Sequence, residues 1–369
     1  ADLSKEEYGI KLMENKGERF IDITEKAGLK KTGFPNSVSA SDLNGDGWTD
    51  LFISNDFWIA DWMFINNGDG TFTNKIYDNF RHISYFSMGV DAADINNDGL
   101  LDLSVVDMVA EDNFRLKANM SGMNPDAFWK VVRDSGHYQY MFNMLHVNSG
   151  DAQFSDLAQH AGVASTDWSW SSLFADFDND GWKDLFITNG LMRDIRNKDS
   201  HKTFSHYIES ALADYMKLHP NLTEKVSIWD IVDINKALAL TPSVKLSNYI
   251  FQNNGNLTFT KKMDDWGLSE KTFSNGASYA DLDNDGDLDL VVNNINDLAS
   301  IYKNNSNPQN HYLRILPVAD QKNIVALGTK IWIETKTGNQ FFELTGVRGM
   351  YSTSENFAHF GLGQESIVQ

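Results

Sequence analysis

Four nine-residue stretches set carboxylates and amides at fixed intervals: Asp42-Leu-Asn44-Gly-Asp46-Gly47-Trp48-Thr-Asp50, Asp94-Ile-Asn96-Asn-Asp98-Gly99-Leu100-Leu-Asp102, Asp176-Phe-Asp178-Asn-Asp180-Gly181-Trp182-Lys-Asp184 and Asp281-Leu-Asp283-Asn-Asp285-Gly286-Asp287-Leu-Asp289. A hard cation such as Ca2+ takes roughly six to eight oxygen ligands. Side chains at loop positions 1, 3, 5 and 9 can wrap one, with the backbone carbonyl of position 7 (Trp48, Leu100, Trp182 or Asp287) adding an oxygen and Gly at position 6 allowing the sharp turn. The reading is about four structural Ca2+ ions. An EF-hand would need Glu at loop position 12, where Ile53, Val105, Ile187 and Val292 stand inside apolar runs. Metal-free turns rich in Asp and Asn are the alternative. Against it, the four sets bring together fourteen carboxylates that repel one another without a cation.

The elements that must position these loops are legible from a second repeat. Asn66-Asn-Gly-Asp-Gly-Thr-Phe72, Asn148-Ser-Gly-Asp-Ala-Gln-Phe154 and Asn253-Asn-Gly-Asn-Leu-Thr-Phe259 read as hairpin turns entering a strand, and Asn15-Lys-Gly-Glu-Arg-Phe20 is one residue shorter. From each Phe to the first Asp of the next Asp-loop the spacing is 22 positions in every copy: Phe20 to Asp42, Phe72 to Asp94, Phe154 to Asp176 and Phe259 to Asp281. The remaining part of the unit grows, from 30 residues (Asp42 to Phe72) to 60 (Asp94 to Phe154) and 83 (Asp176 to Phe259). The shortest period, 52 residues from Asp42 to Asp94, holds four strand-like runs, SVSAS, LFIS, WMFIN and FTNKI. Four antiparallel strands at this period predict an all-β chain of β-propeller blades, because a blade buries its faces only against its neighbours. A long β-solenoid would have shorter, more even repeats. The insertions carry helical patterns. Phe204, Tyr207, Ile208, Ala211, Leu212, Tyr215 and Met216 recur at helix spacing before Pro220, a weaker pattern covers Ile228–Leu240, and Asn124-Pro125 reads as the start of a helix stopped by Gly136. Docking onto the scaffold is the expected role of these apolar stripes.

The Asp-loops with their N-N-G-D-G-T-F partners resemble FG-GAP/VCBS repeats, the blades of integrin-type seven-bladed propellers. Residues 311–363, with HYLRI, GTKIWIE and HFGLG, resemble the ASPIC/UnbV domain that follows such repeats in relatives of cartilage acidic protein. The runs MGVDAADINNDGLLDLSVVDM and DWSWSSLFADFDNDGWKDLFITNG are similar to large surface or secreted members from Bacteroidetes-type bacteria. The resemblance implies an internal fragment with about four of seven blades in residues 1–308, interrupted by insertions at about 108–140 and 190–247. It further implies a truncated ASPIC/UnbV-like β-domain over 309–369. The remaining blades and domains of a longer protein would then be partners of this chain.

A formal charge of -20 over 369 residues, with no clustered basic stripe, argues against nucleic acid and against acidic surfaces or substrates. Cysteine is absent, which removes disulfides and thiolate metal sites. No apolar run reaches the roughly 20 residues of a membrane span. In an antiparallel blade the Asp-loop and hairpin share one end, so the variable segments lie at the other. Asn55, Asp56, Trp168, Trp170, Asn189, Arg193 and Asp194 gather there in sequence, and aromatics beside amides and carboxylates suit a glycan or protein ligand. Inter-blade packing is the competing role for Trp48, Trp182 and the DWSW tryptophans. No H-E-x-x-H, G-x-S-x-G or phosphate loop occurs, so no catalytic residue is assigned. The expected function is a calcium-stabilised binding or adhesion module in an extracellular, cell-surface or periplasmic setting. The alternative is a glycan-active enzyme using a pair such as Asp56 and Asp194 on the insertion face.

Overall fold

The computed structural model describes residues 8–119, 124–221, 225–306, 310–319, 323, 325–336 and 338–368. Each Asp-loop joins the first two strands of an antiparallel sheet whose strands follow chain order outward. The first blade is built from Pro35–Ser41, Asp50–Asn55, Trp62–Asn66 and Phe72–Asn74. Val90–Ala93, Asp102–Val105, Met144–Asn148 and Phe154–Asp156 form the second. In the third, Asp167–Ala175, Asp184–Asn189, Tyr249–Asn253 and Phe259–Lys261 gain a fifth strand, Met108–Val109, beside the first. Among the described residues the fourth has three, Ser274–Ala280, Asp289–Asn294 and Ser300–Tyr302. Alternation in SVSAS buries every second side chain, as a strand with two unlike faces requires, whereas the second strands are buried on both faces and read as continuous apolar runs.

The first strands of successive blades touch in chain order, and apolar side chains fill the spaces between blades. Between the first and second lie Leu43, Met63, Leu103 and Phe154, and between the second and third lie Leu145, Leu185, Phe251 and Phe259. A leading hairpin, Met13–Asn15 with Phe20–Asp22, precedes the first blade. These are the blades of a β-propeller. The fourth departs from the expected four strands for a local reason. Where the other copies read Asn-Asn-Gly…Phe, this one reads Asn304-Asn-Ser…Asn310, and the chain goes on to pair His311–Ile315 with Ala358–Gly363 instead.

Both long insertions leave from the end opposite the Asp-loops and are helical. Asn124 caps Pro125–Ser135 by accepting the N–H groups of Asp126 and Ala127 at 3.0 and 3.2 Å, and Gly136 ends the helix with a φ of 73°. The stripe before Pro220 becomes Lys198–Leu218, and the weaker pattern resolves into two short helices, Ile228–Ile231 and Ile234–Ala239. The insertions clip to each other and to the scaffold. Arg115 holds Asp167 at 2.6 Å and Asp194 at 3.0 Å, and Asn197 donates to Asn119 at 3.1 Å.

The C-terminal β-segments, His311–Ile315 with Ala358–Gly363 and Lys330–Glu334 with Asn339–Glu343, do more than follow the propeller. Their connecting stretch, residues 345–355, runs past the first strands of all four blades. Thr345 donates to the Ala40 carbonyl (3.0 Å), Ser37 to the Gly349 carbonyl (2.5 Å), Arg348 to Asp91 (3.1 Å) and Ser278 to the Thr353 carbonyl (2.6 Å), while the Met350 N–H reaches the Ser171 hydroxyl (3.3 Å). Gly349 has a φ of 62°, and a Cβ there would lie 2.2 Å from the Ser171 hydroxyl, so this crossing demands glycine. Nothing in the spacing of the repeats announces this axial segment.

Candidate metal centres and the opposite face

The four Asp-loops fold alike. The Asp at position 1 accepts backbone N–H groups from positions 5 and 6: Asp42 from Asp46 (3.0 Å) and Gly47 (2.6 Å), Asp176 from Asp180 (3.1 Å) and Gly181 (2.8 Å), and likewise Asp94 and Asp281. Position 5 accepts the N–H of position 7, as Asp98 does from Leu100 and Asp180 from Trp182, both at 2.9 Å. The buried Asp at position 9 ties the loop to the neighbouring hairpin. Asp50, Asp102, Asp184 and Asp289 each accept the N–H of position 2 and that of the first hairpin asparagine, Asn66, Asn148, Asn253 or Asn304, at 2.7–3.1 Å. Position 6 is glycine with φ of 85–95°, and position 4, Gly45, Asn97, Asn179 or Asn284, is also left-handed.

Two loops bring three carboxylates to a common point. Asp176, Asp178 and Asp184 each offer an oxygen within 4.8 Å of the others, and so do Asp281, Asp283 and Asp285. These acidic clusters can hold a metal, and a hard oxygen set of this kind fits Ca2+. The first two loops carry Asn44 and Asn96 at position 3, whose amides donate to Asp46 (2.8 Å) and Asp98 (2.9 Å). Basic residues already serve two of the loops: Lys330 pairs with Asp42, Lys303 with Asp283 and Asp285, and Arg314 with Asp281 at 2.7 Å. Among the described residues no ion pair reaches Asp176, Asp178, Asp180 or Asp184, although the buried ammonium of Lys183 faces Asp176 and Asp94 without a hydrogen-bond partner. The third loop is therefore the set with the largest unbalanced negative charge.

Burial has a measurable consequence for these acids. It pushes Asp50, Asp94 and Asp176 up to about 6 and Asp180 up to about 7, with like charges in the same loop adding to the effect, and it raises Asp184 well above the carboxylate range. The folded protein without metal thus holds protons that the unfolded chain releases near its ordinary value of 3.8. These acids favour folding fully below that value, and the advantage is lost as pH rises toward 6–7. Bound calcium requires the ionised form, so its stabilisation grows over the same interval. We expect the chelated protein to melt higher at pH 5.5 than at 7.5, and the gap between calcium-loaded and chelated melts to be wider at pH 7.5. Differential scanning fluorimetry at the two pH values checks both signs.

Trp48 and Trp182 lie against the hairpin of their own blade: a Cβ on Gly68 would lie 3.0 Å from the Trp48 indole nitrogen, and one on Gly255 2.9 Å from the Trp182 ring. In these two copies the hairpin glycine is thus the floor under the position 7 tryptophan.

At the other end, Asn55 and Asn189 are fully buried and belong to a repeated clip. The N–H of Asn55 donates to Asp61 (2.7 Å), that of Asp107 to Asn143 (2.8 Å) and that of Asn189 to Asn248 (2.9 Å). Asp61, Asn143 and Asn248 then meet Ser87, Thr166 and Ser274 leading into the next blade. Asp194 is 3% exposed and held by Arg115, so it does not pair with Asp56. Trp170 donates to the Gly190 carbonyl at 2.5 Å, Arg193 donates to the Thr241 carbonyl at 3.2 Å, and Trp168 is half-buried against the core. Of the seven candidate ligand residues, Asp56 keeps a partly open carboxylate, raised by burial.

The exposed chemistry on this face centres on Trp58, close in sequence to Asn55 and Asp56 and expected near this face on that ground, and on its neighbours. Phe57 and Trp58 follow Asp56 and are 37% and 43% exposed. Phe34 meets Phe57 at 5.2 Å and Trp58 at 6.2 Å between ring centroids, and Tyr8 extends the group at 6.1 Å from Phe34. The Arg196 guanidinium, delivered by the second insertion, lies 4.3 Å above the Phe86 ring, which meets Phe57 at 6.2 Å. The aromatic pair after Asn55-Asp56 was the available signal, and the arrival of Arg196 from another blade had none.

Models of known families match this architecture. The FG-GAP-like repeat matches residues 42–105, 130–187 and 238–292, and the ASPIC and UnbV family matches residues 319–369. Cartilage acidic protein 1 of Homo sapiens is 24% identical over 358 residues, covering 93% of this chain and 41% of its own length. The Xenopus tropicalis protein of that name is 26% identical over 243 residues (60% and 36%), and a T-cell immunomodulatory protein homolog of Plasmodium yoelii yoelii is 25% identical over 291 residues (73% and 37%). The chain spans about two fifths of the length of these relatives. With the repeated Asp-loops, the blade order and the C-terminal segment in agreement, the chain belongs to the FG-GAP-repeat propeller proteins that carry an ASPIC/UnbV domain.

Proposed function

We infer that this chain is a calcium-stabilised binding module of adhesion type, working outside the cell or at its surface, which takes a glycan on the face opposite the Asp-loops. The observation that carries the reading is the aromatic group of exposed Phe57 and Trp58 with half-buried Phe34, the Asp56 carboxylate beside it and Arg196 close by. Sugar rings stack on such faces while carboxylate and guanidinium groups take their hydroxyls. Asp42, Asn44, Asp46 and Asp50 and the equivalent sets would hold calcium as a structural ion, about four in all, fastening each first and second strand to its hairpin. Loops of modest affinity fill at the roughly 10⁻⁴–10⁻³ M calcium typical of extracellular modules, which supports an extracellular or periplasmic setting. Among the described residues no helix is long and apolar enough to cross a membrane. A net charge of -20 opposes a nucleic-acid role. The enzyme alternative loses its named pair, because Asp194 is held by Arg115.

Glycan-array binding with the calcium-loaded protein tests the reading. Trp58→Ala should weaken binding by about 1–3 kcal/mol, as loss of an anchor does, with the calcium-dependent melt unchanged. Binding that survives this substitution, or an array without any bound glycan, would remove the site.

A further inference from the structure

Among the described residues the buried and half-buried arginines hold oxygens of the protein, with one exception. Arg115 holds Asp167 and Asp194, Arg193 the Thr241 carbonyl, Arg314 both Asp281 and Glu355, and Arg348 Asp91. The guanidinium of half-buried Arg196 makes neither a hydrogen bond nor an ion pair. It lies 4.3 Å from the centroid of the Phe86 ring and 5.6 Å from that of Trp168. Aromatic faces attract the cation through their ring electrons and do not consume its N–H donors. The chain on either side of Arg196 is pinned. Asp194 is gripped by Arg115 and its N–H donates to the Pro242 carbonyl at 2.8 Å, while Asn197 donates to Asn119 at 3.1 Å and caps the helix Lys198–Leu218. This donor fork borders the aromatic face: Phe86 meets Phe57 at 6.2 Å, and Asp56 feels the charge of Arg196 without pairing with it. A guanidinium held in place with its N–H groups unengaged is preorganised for a carboxylate, whose two oxygens match two parallel donors.

We propose, resting on the glycan reading above, that Arg196 determines the specificity of this face and that the glycan it selects contains hexuronic acid, with the sugar carboxylate on Arg196 and the sugar ring on Phe57 and Trp58. Asp56, an acceptor when ionised, takes a hydroxyl of the same sugar. The net charge of -20 opposes the approach of a polyanion from afar. At physiological ionic strength, however, charges are screened over roughly 8 Å, so a bound sugar meets the local pair of Arg196 and Asp56. One guanidinium matches one carboxylate. A densely sulfated chain would need a basic stripe, which the sequence lacks.

The test measures binding of the calcium-loaded protein to immobilised oligosaccharides that contain glucuronate, galacturonate or mannuronate, each beside its carboxyl-reduced, neutral counterpart, together with unrelated neutral glycans. At least one acidic chain should bind about 10- to 100-fold more tightly than its reduced form, the range expected of a hydrogen bond to a charged group. Arg196→Gln should abolish that preference and leave binding of the reduced form unchanged. Arg196→Lys keeps a cation over the rings and should recover only part of the preference, because an ammonium lacks the planar fork. Melting curves show that both variants are folded, and the paired ligands read the preference without any substitution. Equal binding of acidic and reduced forms, removed by Trp58→Ala, would overturn the acid specificity and leave the glycan site standing. A preference that survives Arg196→Gln would also overturn it, by placing acid recognition elsewhere. An array without any bound glycan would remove the site and its specificity together. If, in that case, a polyglutamate peptide binds in an Arg196-dependent manner, the face belongs to an acidic protein segment and the proposed ligand is wrong.

Discussion

Removing calcium with a chelator is expected to lower the melting temperature of this protein by about 10 °C. The estimate follows from the two loops in which three carboxylates converge, Asp176, Asp178 and Asp184, and Asp281, Asp283 and Asp285. A ligand present at about a hundred times its dissociation constant stabilises the folded state by ~2.7 kcal/mol per site. Two such sites contribute about 5 kcal/mol, and at roughly 2 °C per kcal/mol for a large domain the shift reaches about 10 °C. Magnesium, which demands a tighter octahedral shell, should restore less of it. Asp176→Asn should reduce the shift by about half, because it weakens the third loop and leaves the fourth intact. Scanning fluorimetry in calcium, magnesium and chelator makes the comparison, and melts that coincide in all three would contradict the metal assignment.

The second large effect is expected at the axis. Arg348 sits 6% exposed on the segment that crosses the first strands, and its guanidinium donates to both oxygens of Asp91, at 3.1 and 3.3 Å, and to the Ala92 carbonyl at 3.3 Å. Asp91 is itself 1% exposed, and burial raises its pKa above the ordinary carboxylate value despite the arginine. Arg348→Ala leaves that carboxylate buried without its cation, a change that costs about 3–5 kcal/mol. Arg348→Met combined with Asp91→Asn should recover much of the loss, since the uncompensated charge is gone while the Phe174 N–H, now 2.8 Å from Asp91, keeps an acceptor. Urea denaturation of the two variants measures both. A single variant within 1 kcal/mol of the parent by this criterion, against the roughly 3–5 expected, would mean that the axial segment is not a structural part of the propeller.

What the sequence made legible was whatever repeats. The Asp-loops, the 22-residue spacing and the hairpin signatures locate four sheets and their strand order, because each copy must place the same loop against the same hairpin. The position 9 aspartates illustrate the reason: both of their oxygens accept backbone N–H groups, one from the loop and one from the hairpin asparagine, so in each complete copy the two signatures are held against each other. Helical insertions were also legible, since Asn124 and Pro220 punctuate an apolar pattern in the ordinary way. Illegible were contacts made once between distant residues. The Arg115 clip to Asp167 and Asp194, Arg196 over Phe86, and the passage of residues 345–355 past four blades have no periodicity to betray them. Position told only part of the story for the face opposite the loops. Asn55 and Asn189 do stand at the ends of equivalent strands, but there they close a hydrogen-bonded clip to the next blade, and the exposed surface falls to Phe57 and Trp58 beside them.

Crystals grown in millimolar calcium, with anomalous diffraction collected at long wavelength, show whether the third loop holds a metal. An anomalous peak is expected in the third loop within about 2.3–2.6 Å of oxygens from Asp176, Asp178, Asp180 and Asp184 and of the Trp182 carbonyl. A third loop without such a peak, its acids bonded only to backbone N–H groups and water, would contradict the metal assignment.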